Sequence, residues 1–233
     1  DFAAIRALFA DAQREVAGGE LERLEIHTTK DSFIRADGLA YLTAKCLDLS
    51  ASGTHLELSG DEGVRAYLER MDFHAHLGLE QKGGNRLPAQ GRFLPLKLVG
   101  IQEDSYNVTD KICDLVLRHF DDGRKFLPAM EWMVNELTDN IIIHAEAPVP
   151  GVVCAQFYPS KKRIEIGICD MGRGLHGSLS TTREIETHQE ALELALKRGV
   201  TRDPEVGMGY GMAGSLEISK VNGGDFSLWS GEA

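Results

Sequence analysis

The chain has 233 residues, and its 36 acidic and 25 basic side chains leave a formal charge of −11. Such a surface repels a phosphate backbone, so general nucleic-acid binding is disfavoured. With 42% hydrophobic residues and no run of about 18 apolar ones, the chain reads as one large or two small globular domains without a membrane span.

The N-terminus, Asp-Phe-Ala-Ala-Ile-Arg, carries no basic stretch followed by an apolar one, so no retained secretion signal is expected. Cys46, Cys113, Cys154 and Cys169 sit far apart in apolar segments without CxxC spacing, the pattern of buried thiols in a reducing cytoplasm. Glycine is over-represented, at 25 residues, with many in the last third.

Phe2, Ile5, Leu8, Phe9, Ala12 and Val16 recur at helical spacing until Gly18-Gly19 stops them. Leu24–His27 and Ser32–Ile34 read as strand material. Asp37-Gly38 opens a helix with Leu39, Leu42, Cys46 and Leu49 on one face. Thr54–Ser59 alternates with period two, and Asp61 then caps a helix bearing Val64, Tyr67, Leu68 and Met71. Strand, helix, strand, helix implies a small α/β domain with a parallel sheet.

The loop-like composition of residues 82–91 places a boundary there, dividing the chain into 1–90 and 91–233. Beyond it, Phe93–Ile101 reads as a strand, Thr109–His119 and Lys125–Ala145 as helices, and Val152–Tyr158 with Arg163–Cys169 as a hairpin. Helices near Thr187–Arg198 and Met212–Val221 and a last strand, Asp225–Ser230, follow.

Three motifs carry chemistry. On the long helix, the i,i+4 spacing of Glu136 and Asn140 sets a carboxylate beside a carboxamide; the first can take a proton and the second can ligate Mg²⁺. A solvated helix face would look the same. Asp170-Met-Gly172-Arg-Gly174 follows an apolar strand, where a fixed carboxylate can accept from an exocyclic amine and bare backbone lets a flat ring approach; a plain tight turn is the alternative. Gly207-Met-Gly209-Tyr-Gly211 precedes a helix whose N-terminus could cradle phosphate. It is not a dinucleotide fingerprint, since Met212 stands where the third glycine belongs.

ExxxN on a helix, DxGxG after a strand and GxGxG before a helix, in that order, resemble the N box and two glycine boxes of the GHKL superfamily, which takes in DNA gyrase, histidine kinases and MutL. Glu136-Leu-Thr-Asp-Asn140-Ile-Ile-Ile-His144 looks most like the anti-sigma-factor serine kinase branch. The resemblance implies a Bergerat-type α/β sandwich, a mixed sheet with helices on one face, over residues 91–233. It implies ATP and Mg²⁺ as cofactors, with Glu136 as catalytic base and Asn140 as the Mg²⁺ ligand. Asp170 would read adenine, Gly172 and Gly174 would lie close to the base, and Gly207, Gly209 and Gly211 would form the phosphate lid. His144 either reaches the phosphates or is a satisfied helix-end residue. The family's closing strand with its Gly-Thr is not evident, and no phosphate-contacting lysine stands out between Gly177 and Val206.

Ser32–Leu42 and Gly53–Leu58 resemble, more weakly, the STAS domain of anti-sigma-factor antagonists, with Arg35-Ala36-Asp37 where that family has a phosphorylatable serine. Asp37 is expected either to cap the helix or to imitate the modified serine in a fixed docking module. The expected function is therefore an anti-sigma-type kinase or ATPase fused to a STAS-like domain, or a non-catalytic ATP-gated binding module. The expected partner is a STAS or sigma-regulatory protein rather than nucleic acid or membrane. Oligomeric state stays open, a homodimer among the options. His74-Ala-His76 lacks a third ligand for a metal, and no GxSxG elbow marks a serine hydrolase.

Overall fold

A computed structural model describes residues 2–15, 21–80, 91–200 and 210–233. The protein is α/β. Helix α1 (Phe2–Glu15) leads into β1 (Arg23–Thr28), α2 (Ala36–Ala51), β2 (His55–Gly60), α3 (Glu62–Arg70) and α4 (Phe73–Leu77). The expected stop at Gly18-Gly19 and the boundary segment up to residue 90 lie outside the described residues. Strands β1 and β2 pair in parallel from Arg23↔His55 to Thr28↔Gly60. Asp61 caps α3 as its sequence position predicts, accepting from the Val64 amide at 3.0 Å. Ser32–Ile34 is not a strand. It is an irregular connection in which Phe33 stays 65% exposed, so the β-prone composition there finds no partner strand.

The second half begins with β3 (Phe93–Val99), α5 (Gln102–His119) and α6 (Gly123–Asp139), continued by a π-helical turn over Asn140–Ala145. Then come β4 (Gly151–Tyr158), β5 (Arg163–Cys169), α7 (Gly174–Leu179), α8 (His188–Ala195) and α9 (Gly211–Val221). Helix α5 starts seven residues before Thr109, because Asp104 Oδ2 accepts the amides of Gly100 (3.0 Å) and Ile101 (3.1 Å), a cap set inside the helix rather than before it. Asp225–Ser230, expected as a strand, forms no ladder.

Strands β3, β4 and β5 make an antiparallel sheet in that order. The expected mixed sheet is therefore not seen among the described residues. Pro95 lacks an amide proton, and the register of β3 on β4 shifts between Leu94 and Lys97. The shift sends Leu94 to one face and Leu96 to the other.

Helices cover both faces of this sheet, not one. On one side Val153, Ala155, Ile164, Ile166 and Ile168 pack with Val108, Ile112 and Leu115 of α5 and Val134 of α6. On the other, Val152 and Cys154 join the cluster formed by Leu39, Ala40, Leu42 and Cys46 of α2 with Leu68, Met71 and Phe73. The hydrophobic core thus runs across the segments 1–90 and 91–233. Phe9 of α1 completes it edge-on to Tyr41, with ring centroids 6.0 Å apart, whereas Leu8 stays 69% exposed.

A bare backbone at Gly167 permits this packing. A Cβ there would lie 2.1 Å from the Ala36 carbonyl oxygen at the start of α2. Gly167→Val is expected to push α2 off the sheet and cost about 2–3 kcal/mol, read as a lower urea midpoint at constant m.

Candidate functional site: the α6 end and the turn after β5

Helix α6 is amphipathic. Val134 is fully buried, Met130 packs beside it, and Glu136 and Asn140 lie one turn apart on a half-buried flank. A polar ladder fixes α6 against α5. Ser105 Oγ and Thr138 Oγ1 are 2.6 Å apart, Thr109 Oγ1 donates to Asn135 Oδ1 at 2.7 Å, and Gln102 Nε2 donates to Asp139 Oδ1 at 2.9 Å. Burial, reinforced by the nearby Asp139 carboxylate, holds the Glu136 carboxyl above its ordinary pKa. A carboxyl raised in this way is poised to exchange a proton closer to neutrality.

At Asn140 the winding changes to π. The α-helical spacing that puts Glu136 and Asn140 on one face therefore does not extend from Asn140 to His144, because a π turn closes five residues on. His144 is half-buried there. The segment ends at Glu146, which has a positive φ of 50° and pairs with the Arg173 guanidinium.

The turn after β5 docks on that segment. The Arg173 amide donates to the Ala145 carbonyl at 2.9 Å, and a Cβ on Gly172 would stand 2.2 Å from the same oxygen. Only a glycine lets the two backbones approach so closely. Asp170 Oδ1 accepts the Gly172 amide at 2.8 Å. Burial raises the Asp170 pKa, and the Gly172 hydrogen bond opposes the shift. Gly174 has a left-handed φ of 66° and opens α7.

Helix α9 packs on α6 through small residues. A Cβ on Gly211 would lie 2.6 Å from Glu136 Oε2, and one on Gly214 would lie 2.4 Å from the Trp132 ring. Tyr210, which precedes Gly211, makes no side-chain cap. Of the three expected lid glycines, only Gly211 can be placed; Gly207 and Gly209 lie outside the described residues. The structure therefore brings Gly211 to Glu136 and brings Gly172 to the end of the segment that starts at Asn140. Along the chain, the π-helical turn begins between these two contacts, at Asn140, and ends at the second, at Ala145.

Sequence reasoning missed Ala145, Gly214 and Trp132 as parts of this arrangement. The Gly211-x-x-Gly214 spacing was the available signal for the α6–α9 contact. Asp37 lies in the first turn of α2, with Oδ1 accepting the Gly38 amide at 2.8 Å; neighbouring Arg35 pairs with Glu165 of β5 at 3.1 Å. His76 Nε2 donates to the Leu96 carbonyl at 3.0 Å, and burial depresses the His74 pKa.

Comparison of the chain with protein-family models, with curated proteins and with solved structures returns no match. Among the described residues, no helix is long and apolar enough to cross a membrane.

Proposed function

We propose that the protein binds MgATP between α6, the turn after β5 and the start of α9, as a GHKL-type regulatory protein of the anti-sigma kinase or ATPase kind with a STAS-like interaction segment. The observation that carries this reading is that a residue of each glycine motif packs against the helical stretch bearing Glu136 and Asn140. Gly211 rests against Glu136, and Gly172 rests against Ala145, five residues beyond Asn140.

The donor set suits the ligand. One oxygen of Asp170 is held by the Gly172 amide, which orients the other toward an exocyclic amine. The carboxamide oxygen of Asn140 is a hard donor of the kind Mg²⁺ takes. The N-terminus of α9 places peptide dipoles where negative charge would gather. When bound, MgATP supplies the transferable phosphoryl group and the cation that offsets its charge. Glu136 then takes the proton of the attacking hydroxyl or water, and the lid glycines flank the phosphates.

The expected partner is a STAS or sigma-regulatory protein, and the expected compartment is the cytoplasm. Asp37 would stand in for a phosphorylated serine. The packing of α2 across β4 and β5 favours a second reading, ATP-gated binding without turnover. A nucleotide-driven change in the sheet would reach the STAS-like segment directly through this contact.

Calorimetric titration with MgATP and a non-hydrolysable analogue, paired with an ADP-release assay, tests both readings. Binding with release supports the enzyme, and binding alone supports the gated module. The absence of binding by folded protein overturns both.

A further inference from the structure

The segment after α9 has no ladder of its own, yet three elements fix its path. At one end Asp225 Oδ2 accepts from Arg163 Nη2 at the start of β5, at 2.8 Å. At the other, Ser230 Oγ accepts the Leu175 amide at 2.8 Å, just beyond Gly174. The Gly231 carbonyl next accepts from Arg6 Nη2 of α1 at 2.7 Å. Between these ends burial alternates, with Phe226, Leu228 and Ser230 half-buried and Asp225, Ser227 and Trp229 exposed. The segment therefore runs from the start of β5 to the turn that carries Asp170, Gly172 and Gly174.

The close approach at Gly174 ties the two together. Gly174 takes a left-handed φ, and a Cβ on it would stand 2.9 Å from Ser230 Oγ. Gly231 also turns through a positive φ of 63°, packed so closely on the His188 ring that a Cβ would fall 2.3 Å from Nδ1. Ser230 is held in place from both sides of the contact. Its hydroxyl can move little without moving the turn.

We infer that Ser230 is a positioning residue for the purine-reading turn, holding Gly174 and Leu175 so that the Asp170 carboxyl stays aimed at a bound base. The inference rests on the MgATP reading above and adds a residue that none of the three motifs contains. Ser230 acts through the backbone of Leu175 and does not touch the base. Losing it loosens the aim of Asp170, so base discrimination suffers along with affinity.

The test uses the full chain and compares wild type, Ser230→Ala and Ser230→Thr by calorimetry with MgATP and with MgGTP. Hydrogen exchange at the Leu175 amide and thermal unfolding are measured alongside. Ser230→Ala is expected to weaken MgATP binding about fivefold, the worth of one neutral hydrogen bond. It should also narrow the preference for ATP over GTP and speed exchange at Leu175. Ser230→Thr, which keeps the hydroxyl, should restore all three. If wild type binds MgATP and folded Ser230→Ala binds it with unchanged affinity and selectivity, the role assigned to Ser230 is wrong while the ATP site stands. If Ser230→Ala unfolds, Ser230→Thr decides: affinity lost by a folded threonine variant overturns the hydroxyl's role. If folded wild type binds no nucleotide, the reading of the site fails and the inference with it.

Discussion

Asp170→Asn is expected to weaken MgATP binding by about 10- to 100-fold while leaving the fold intact. A carboxylate hydrogen bond to an amine is worth more than a neutral one, and losing its charge removes about that factor. The asparagine Oδ1 can still accept the Gly172 amide, so the docking of Gly172 on Ala145 should persist.

The same substitution should leave the ligand-free protein at least as stable. Burial raises the Asp170 pKa above its ordinary 3.8, so between that value and the raised one the folded state holds more protons than the unfolded. Stability therefore falls as pH rises through this window and levels off above it, the reverse of a carboxylate held by a cation. Asparagine has no such loss. Thermal melts of the two proteins should diverge in favour of Asp170→Asn as pH rises from about 4 toward neutrality. A mutant melting below wild type at neutral pH would show that the carboxylate serves structure. Stabilisation by excess MgATP should appear in wild type and be largely absent from the mutant.

Glu136→Ala should separate the two functional readings. If Glu136 accepts the proton of the attacking group, ADP release falls by about 100- to 10,000-fold, with the calorimetric affinity for MgATP nearly unchanged. Glu136→Gln should behave alike in turnover, since it keeps the shape of the contact with Gly211 and loses only the basicity. If the protein is a gated module, both variants bind MgATP and keep their downstream partner contacts. Loss of binding in the glutamine variant would assign the carboxylate to ligand contact instead of proton transfer.

The motifs were legible in the sequence because each is local. Glu136 and Asn140 share a face by helical spacing alone, Asp170 follows an apolar strand, and a glycine run before an apolar-periodic helix is visible without coordinates. The hairpin β4–β5 was equally plain, its two apolar segments meeting across Pro159–Lys162. Where local patterns misled, a partner decided. Ser32–Ile34 and Asp225–Ser230 have strand-prone compositions, but strands need a neighbour to satisfy their backbones, and neither segment has one among the described residues. The early start of α5 came from a cap within the helix, and the altered winding after Asn140 has no signature in residue types.

By itself the sequence determined the α/β class, the parallel pairing implied by β1–α2–β2, and which residues could do chemistry, since spacing and side-chain type suffice for these. Only the tertiary structure decided that α2 lies across the sheet of the second half, that Pro95 moves Leu94 and Leu96 to opposite faces, and that Gly172 and Gly211 meet the two ends of one helical stretch. Such contacts join residues far apart in the chain, and they depend on how closely two backbones can approach where a side chain is missing. That property belongs to the pair of surfaces and is absent from either segment read alone.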